Sequence, residues 1–209
     1  MARTRTSKAW MREHVNDVYV QKAKQAGYRS RSAYKLLEIQ EKDKLVRPGM
    51  TVVDLGAAPG GWSQVLASLV GAPGQVIAVD LLEMEPLRGV ELIRGDFLEK
   101  ATLELMEQRL GERRIDLVVS DMAPNISGVG LVDQARSIHL AELAFEFARL
   151  RLKPGGDLLV KVFQGSGVDA FRKVLSSVFR SVAVRKPKAS RDRSSEFYLL
   201  ARGKTVDMH

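Results

Sequence analysis

Two hydrophobic periods divide this chain. From about residue 50 onward, apolar runs of strand length alternate with longer segments whose apolar positions recur at helical spacing. Strands are predicted at 50–55, 76–80, 90–94, 115–120 and 157–163. Helices are predicted between them at 62–70, 99–110 and 134–151, with another at 168–178. Asp133 is placed to cap the long helix, and Leu152-Lys-Pro-Gly-Gly156 breaks it. Residues 182–186 and 196–201 read as a closing pair of strands joined by a loop without a helix. Such alternation predicts an α/β fold, a mostly parallel sheet with helices on both faces. The final pair predicts that the last of seven strands is antiparallel.

The first fifty residues have a different pattern. Residues 13–27 read as a helix with Val15, Val18 and Tyr19 on one face. Ser30 or Ser32 is placed to cap a second helix over 33–42, which turns Tyr34, Leu37 and Ile39 inward and carries Lys35. Residues 1–12 read as a flexible basic tail. The expected organisation is that tail followed by one domain over 13–209, with a helical extension at 13–48.

The richest stretch is Thr51-Val-Val-Asp-Leu-Gly-Ala-Ala-Pro-Gly-Gly-Trp62. A buried-strand pattern runs into a turn containing Gly56, Pro59, Gly60 and Gly61, then into a helix. Glycines in such a turn allow a tight bend and close approach of another group, and ligands of doubly wound sheets sit beyond the carboxyl ends of the strands. The spacing departs from the dinucleotide fingerprint G-x-G-x-x-G, because position 58 is alanine, and no Walker sequence is present. Asp54, two residues before the first glycine, would repel a pyrophosphate. It suits a cofactor carrying positive charge, and S-adenosylmethionine carries a sulfonium and an ammonium.

Further acids follow the strands. Asp80 ends the second strand, where a carboxylate can accept hydrogen bonds from ribose hydroxyls. Asp96 follows the third, placed either to read an adenine edge or to cap the next helix. Asp121, in Ser120-Asp-Met-Ala-Pro124-Asn125, ends the fourth and projects toward a transferred group. Lys161 lies inside the apolar run Leu158-Leu-Val-Lys-Val-Phe163, where a lysine is costly unless paired. Glu196 reads as either an exposed strand acid or the partner of Lys161.

Composition narrows the classes. The 209 residues are 45% hydrophobic, enough for a full core. There is no cysteine, hence no disulfide framework, and three scattered histidines (His14, His139, His209) give no metal site. No apolar run reaches the ~20 residues needed to span a bilayer, and residues 1–9 lack the apolar core of a secretory signal. A cytoplasmic, monomeric protein is expected. Residues 1–50 carry 12 Lys/Arg against 5 Asp/Glu, and residues 180–209 carry 8 against 3, whereas 51–179 carry 13 against 17. Two basic ends around an acidic centre point to a polyanionic partner gripped by the ends.

Taken together, Asp54-Leu-Gly-Ala-Ala-Pro-Gly-Gly-Trp62, Ser120-Asp-Met-Ala-Pro-Asn125, Val160-Lys-Val-Phe-Gln-Gly165, Arg29-Ser-Arg-Ser-Ala-Tyr-Lys-Leu36 and Arg191-Asp-Arg-Ser-Ser-Glu196 resemble the FtsJ/RrmJ family of ribosomal RNA 2′-O-methyltransferases. The resemblance runs from about residue 10 to about 203. It implies a Rossmann-like S-adenosylmethionine-dependent methyltransferase fold. It also implies a catalytic tetrad of Lys35, Asp121, Lys161 and Glu196, with cofactor contacts at Gly60, Trp62, Asp80, Asp96 and Asp121. The implied substrate is a uridine 2′-hydroxyl in the A-loop of 23S rRNA, on the 50S ribosomal subunit. Arg29, Arg31, Lys35, Lys186, Lys188, Arg191 and Arg193 would then track phosphates.

In that reaction Lys161 has two available roles: a neutral base taking the hydroxyl proton, or an ammonium orienting the hydroxyl and stabilising the developing alkoxide. Competing readings are methylation of tRNA or an mRNA cap, a ribosome assembly factor that keeps the fold without catalysis, and a nicotinamide oxidoreductase.

Overall fold

The computed structural model describes residues 17–125, 127–191 and 194–206. In chain order these form α1 (Val18–Gln25), α2 (Ala33–Asp43), β1 (Thr51–Leu55), α3 (Gly61–Val70), β2 (Gln75–Asp80), β3 (Glu91–Arg94) and α4 (Lys100–Leu110). They continue with β4 (Ile115–Ser120), α5 (Gly130–Arg151), β5 (Leu152–Phe163), α6 (Val168–Val178), β6 (Phe179–Arg185) and β7 (Glu196–Lys204). The strands form one seven-stranded sheet in the order β3-β2-β1-β4-β5-β7-β6. β7 runs antiparallel to both β5 and β6, and the remaining pairings are parallel. This is the Rossmann-like methyltransferase architecture.

The central strands are apolar because both sheet faces are covered. Every residue of β1 is buried. Alternate residues divide between two cores. Val53, Leu55, Val118, Val160 and Val162 pack toward the α4–α6 side with Met106, Phe145 and Phe171. Val52, Val119, Leu159, Tyr198 and Leu200 pack with Leu36 and Ile39 of α2 and with Trp62 and Leu66 of α3. Burying each such large aliphatic side chain stabilises the fold by about 1.5–3 kcal/mol. Period two also puts Asp54, Lys161, Tyr198 and Glu196 on the α2/α3 side.

Several expectations are corrected. Of the predicted first helix, the described residues form Val18–Gln25, which Asp17 caps by accepting hydrogen bonds from the Tyr19 and Val20 amides at 3.0 and 3.4 Å; residues 13–16 lie outside the described residues. Val18 is 58% exposed, and Val20 and Ala23 make the buried face instead. Val15 lies outside the described residues. In α2 the inward positions are Ala33, Lys35, Leu36 and Ile39. Tyr34 and Leu37 are half-buried, and Tyr34 packs against the rings of Tyr19 and Tyr28. Neither serine caps α2 through its side chain; the Ser30 and Ser32 hydroxyls bond each other at 2.6 Å.

α5 begins at Gly130, ahead of Asp133. That carboxylate therefore sits in the first turn and accepts from the Ser127 amide and hydroxyl, each at 2.8 Å, and from the Gly128 amide at 3.2 Å, holding the preceding loop. The Leu152–Gly156 stretch ends α5 but is itself extended. The β4–β5 register jumps from Ile115↔Leu152 to Leu117↔Asp157, so these residues form an irregular start to β5. β6 begins earlier than predicted and β7 extends to Lys204. Among the described residues no helix is long and apolar enough to cross a membrane.

Candidate active site

Beyond the carboxyl ends of β1, β2, β3 and β4 lies a cavity of about 440 Å³, the place where ligands of doubly wound sheets bind. Gly56, Asp80, Asp96 and Asp121 line it together with Phe97 and Met122. Among the described residues, those lining it include three acids and no lysine or arginine. Gly56 has φ of +72°, and a Cβ there would meet Met122 Cγ at 2.1 Å, so both backbone conformation and space require glycine. Asp80 accepts from the Ala58 amide at 2.9 Å and the Leu82 amide at 2.8 Å, which ties the end of β2 to the glycine turn. Asp96 accepts from the Leu98 amide at 2.9 Å and does not cap α4, whose cap position is Glu99. Its carboxylate remains on the cavity wall.

Asp54 does not line this cavity. It is 1% exposed beneath α3 and accepts a 2.7 Å hydrogen bond from Ser63, while its Oδ1 has no partner. Burial is the main cause that pushes its carboxyl up to about 7, with the nearby Asp121 and Asp80 charges adding and the Ser63 bond opposing. Ala58 lines the cavity with Gly56, whereas Pro59, Gly60, Gly61 and Trp62 make contact away from it. A side chain at Gly60 would strike Leu87 and Arg29, and one at Gly61 would strike the Ser30 hydroxyl. The Pro59 carbonyl accepts from Arg29 at 3.2 Å. Trp62 is 2% exposed, stacks on Tyr198 with ring centroids 5.5 Å apart, and donates from its indole to the Ser32 carbonyl at 2.8 Å. These four positions thus seat the segment at 29–32 against α3.

Lys35, Asp121, Lys161 and Glu196 converge on the α2/α3 side of the sheet. Lys161 is 6% exposed and donates to the Asp121 carbonyl at 2.5 Å and to its carboxylate at 3.0 Å. Lys35 pairs with Glu196 at 2.5 Å, both side chains nearly buried. Glu196 is therefore neither an exposed strand acid nor the direct partner of Lys161. Tyr198, opposite Lys161 in the β5–β7 register, donates to the same Asp121 oxygen at 2.6 Å.

The electrostatics are cooperative. Burial drives the Asp121 carboxyl up, but the Lys161 and Lys35 charges, with the Tyr198 and Lys161 hydrogen bonds, outweigh it and hold it below its ordinary value. Glu196 follows the same logic: burial raises it, and Lys35 first, then Lys161, bring it below the usual range. The Tyr198 phenol is pushed well above its ordinary value by burial and by the Asp121 and Glu196 charges. Two carboxylates are kept ionised between two lysines, at the edge of a cavity that Asp121 also lines. Such a site presents fixed N–H donors to an oxygen that gains negative charge.

The FtsJ-like methyltransferase family model matches residues 28–204. The chain belongs to that family. It is 63% identical over 202 residues to Ribosomal RNA large subunit methyltransferase E of Dechloromonas aromatica, covering 97% of this chain and 98% of that one. It is 62% identical over 200 residues to the protein of the same name from an Azoarcus species, covering 96% and 98%. Among solved structures, a putative ribosomal RNA methyltransferase from Plasmodium falciparum superposes with a TM-score of 0.77 at 28% identity, covering 85% of this chain and 98% of that chain.

Within this FtsJ-like fold most of the basic side chains expected to track phosphates are held by the protein itself. Arg29 donates to the carbonyls of Pro59, Glu85 and Pro86. Arg31 bonds Asp17 and the Ala189 carbonyl, and Arg191 reaches Asp17 at 3.5 Å. Lys186 donates to the Ser194 carbonyl at 2.7 Å and to the Glu196 carbonyl. The Lys188 side chain is exposed, while its backbone amide bonds Glu38 at 2.6 Å. Arg193 lies outside the described residues. The Asp17, Arg31 and Glu38 contacts tie the 188–191 segment to α2 and to the cap of α1. Sequence reasoning missed Tyr198 and Ser63. Tyr198 had a usable signal, since alternation puts it on the same face as Glu196; Ser63 had none.

Proposed function

We propose that this protein transfers a methyl group from S-adenosylmethionine to the ribose 2′-hydroxyl of a uridine in the A-loop of 23S rRNA, acting on the 50S subunit in the cytoplasm. The observation that carries the reading is the buried Lys161–Asp121 contact at the wall of the acid-lined cavity. The cofactor fits the residues present: three acids on the cavity wall, and the unpartnered buried Asp54 oxygen behind it, suit a ligand with positive groups. Asp80 and Asp96 would hold its polar edges. When bound, it supplies an electrophilic methyl group on a sulfonium.

The chain's own residues do the rest. Lys161, anchored by two bonds to Asp121, has a donor left for the substrate oxygen. It orients the 2′-hydroxyl, whose proton passes to solvent as the oxygen takes the methyl group, and stabilises the charge that develops on that oxygen. Asp121 and Tyr198 fix the lysine's position, and the Glu196-paired Lys35 supplies the second positive charge. Much of the rate enhancement comes from holding the hydroxyl in line. The domain reading follows: residues 13–48 serve as the RNA-binding extension of a single methyltransferase domain, and a monomer suffices.

The relatives named for ribosomal RNA large subunit methylation support this substrate class over tRNA or a cap. The test is transfer of labelled methyl from S-adenosylmethionine to 50S subunits from cells lacking the activity, compared with free 23S rRNA, tRNA and capped RNA. Label on the 50S subunit is expected. Label only on tRNA or capped RNA would overturn the substrate.

A further inference from the structure

A second cavity, of about 430 Å³, lies where the start of α6 meets the ends of β5 and β6 and the start of β7, with Glu196 on its wall. Asp121 borders the first cavity and Glu196 borders the second, so the Lys161–Asp121 and Lys35–Glu196 pairs stand between them. Its apolar wall is formed by Val168, Val184 and Phe197. Val168 and Phe197 are buried at the ends of α6 and β7, and Val184, on the edge strand β6, is 44% exposed. Gln164, Ser194 and Ser195 are among its polar lining residues. Arg172 and Lys186 supply cations, and Asp169 is the acid among the exposed lining residues. Lys186 is anchored to the Ser194 and Glu196 carbonyls, whereas Arg172 is exposed and makes no ion pair among the described residues.

Resting on the proposed RNA substrate, we infer that this cavity receives the nucleotide next to the methylated ribose, its unpaired base against Val184 and Phe197 and its phosphate at Arg172. An apolar wall, polar residues for a base edge and an exposed guanidinium match how proteins hold splayed single-stranded RNA. The volume lies in the range of small-ligand clefts. A strand lying across Glu196 would present one ribose to Lys161 and send its neighbour into this pocket. Each element is then used: the first cavity for the methyl donor, the pairs between for the reacting hydroxyl, the second cavity for register along the RNA.

The test uses the full chain, with kinetics on unmodified 50S subunits at several salt concentrations. Arg172→Ala is expected to raise KM about tenfold and to reduce the slope of log(kcat/KM) against log[salt] by about one. Val184→Trp fills the cavity from an exposed edge-strand position. It is expected to raise KM at least as much while leaving the salt slope and the dissociation constant for S-adenosylmethionine unchanged. If Val184→Trp keeps the wild-type KM, no base enters and the inference is overturned. A loss of S-adenosylmethionine affinity in either variant would also overturn it, because the cavity would then be acting through the donor site. Absence of labelling by the unaltered protein would instead refute the RNA reading itself.

Discussion

Tyr198 and Lys161 face each other across the β5–β7 pairing and donate to the same carboxylate oxygen of Asp121, at 2.6 and 3.0 Å. A buried carboxylate held by two donors is fixed in both position and charge. Removing the phenol oxygen in Tyr198→Phe leaves Asp121 with less support for its charged form, so its carboxyl rises. The acid limb of the kcat–pH profile should therefore move to higher pH, with a stability loss of about 1–2 kcal/mol. A profile whose acid limb does not move would show that Tyr198 has no hold on the carboxylate.

The Lys35–Glu196 pair, at 2.5 Å and nearly buried, should behave as a unit. Lys35→Met strands a buried carboxylate and should destabilise the protein by about 3 kcal/mol. Adding Glu196→Gln removes the stranded charge and should restore at least about 1 kcal/mol of that loss. Denaturant titration of the two single variants and the double variant measures the coupling. Simple additivity would mean the two groups do not interact.

Asp80 links β2 to the glycine turn through two backbone amides and lines the first cavity. Asp80→Ala should weaken S-adenosylmethionine binding by tenfold or more, from lost ribose contacts and a loosened turn. Isothermal titration decides it, and an unchanged dissociation constant would remove Asp80 from the donor site.

Asp54 provides a pH signature. Its folded carboxyl titrates near 7, against 3.8 ordinarily, chiefly through burial. The folded state thus binds a proton that the unfolded state gives up earlier. Its contribution is most favourable below the unfolded value and is lost as pH rises through about 7. Asp54→Asn cannot ionise. Relative to the unaltered protein its stability should rise between pH 5 and pH 8, by about 3 kcal/mol. Melting curves of both proteins across that range test it, and a difference independent of pH would contradict the shift.

What the sequence revealed divides along physical lines. The limits of β4 and α6 are legible because an apolar run or an amphipathic face ends at clear punctuation. The anomaly of Lys161 is legible too, since a charge inside an apolar strand stands out without any partner being known. Its partner is not legible: Asp121 is forty positions away in the chain. Which of the two lysines meets Glu196 depends on how α2 docks on the sheet, and no local pattern encodes that. The basic residues near 29–31 and 186–191 read as free charge, yet the fold spends most of them on carbonyls and Asp17. The turn glycines announced close approach correctly, but what approaches is Leu87 and Arg29 at Gly60 and Ser30 at Gly61.

The most direct test of ribose methylation by the Lys161 site is to map the label placed on 50S subunits by the unaltered protein and by Lys161→Ala. A 2′-O-methyl group makes the adjacent phosphodiester resistant to alkali. The unaltered protein should give one alkali-resistant linkage in the 23S A-loop. Lys161→Ala should lower turnover by about a hundredfold or more while binding S-adenosylmethionine within several-fold of normal. Label on a base, or near-normal turnover in Lys161→Ala, would contradict the account.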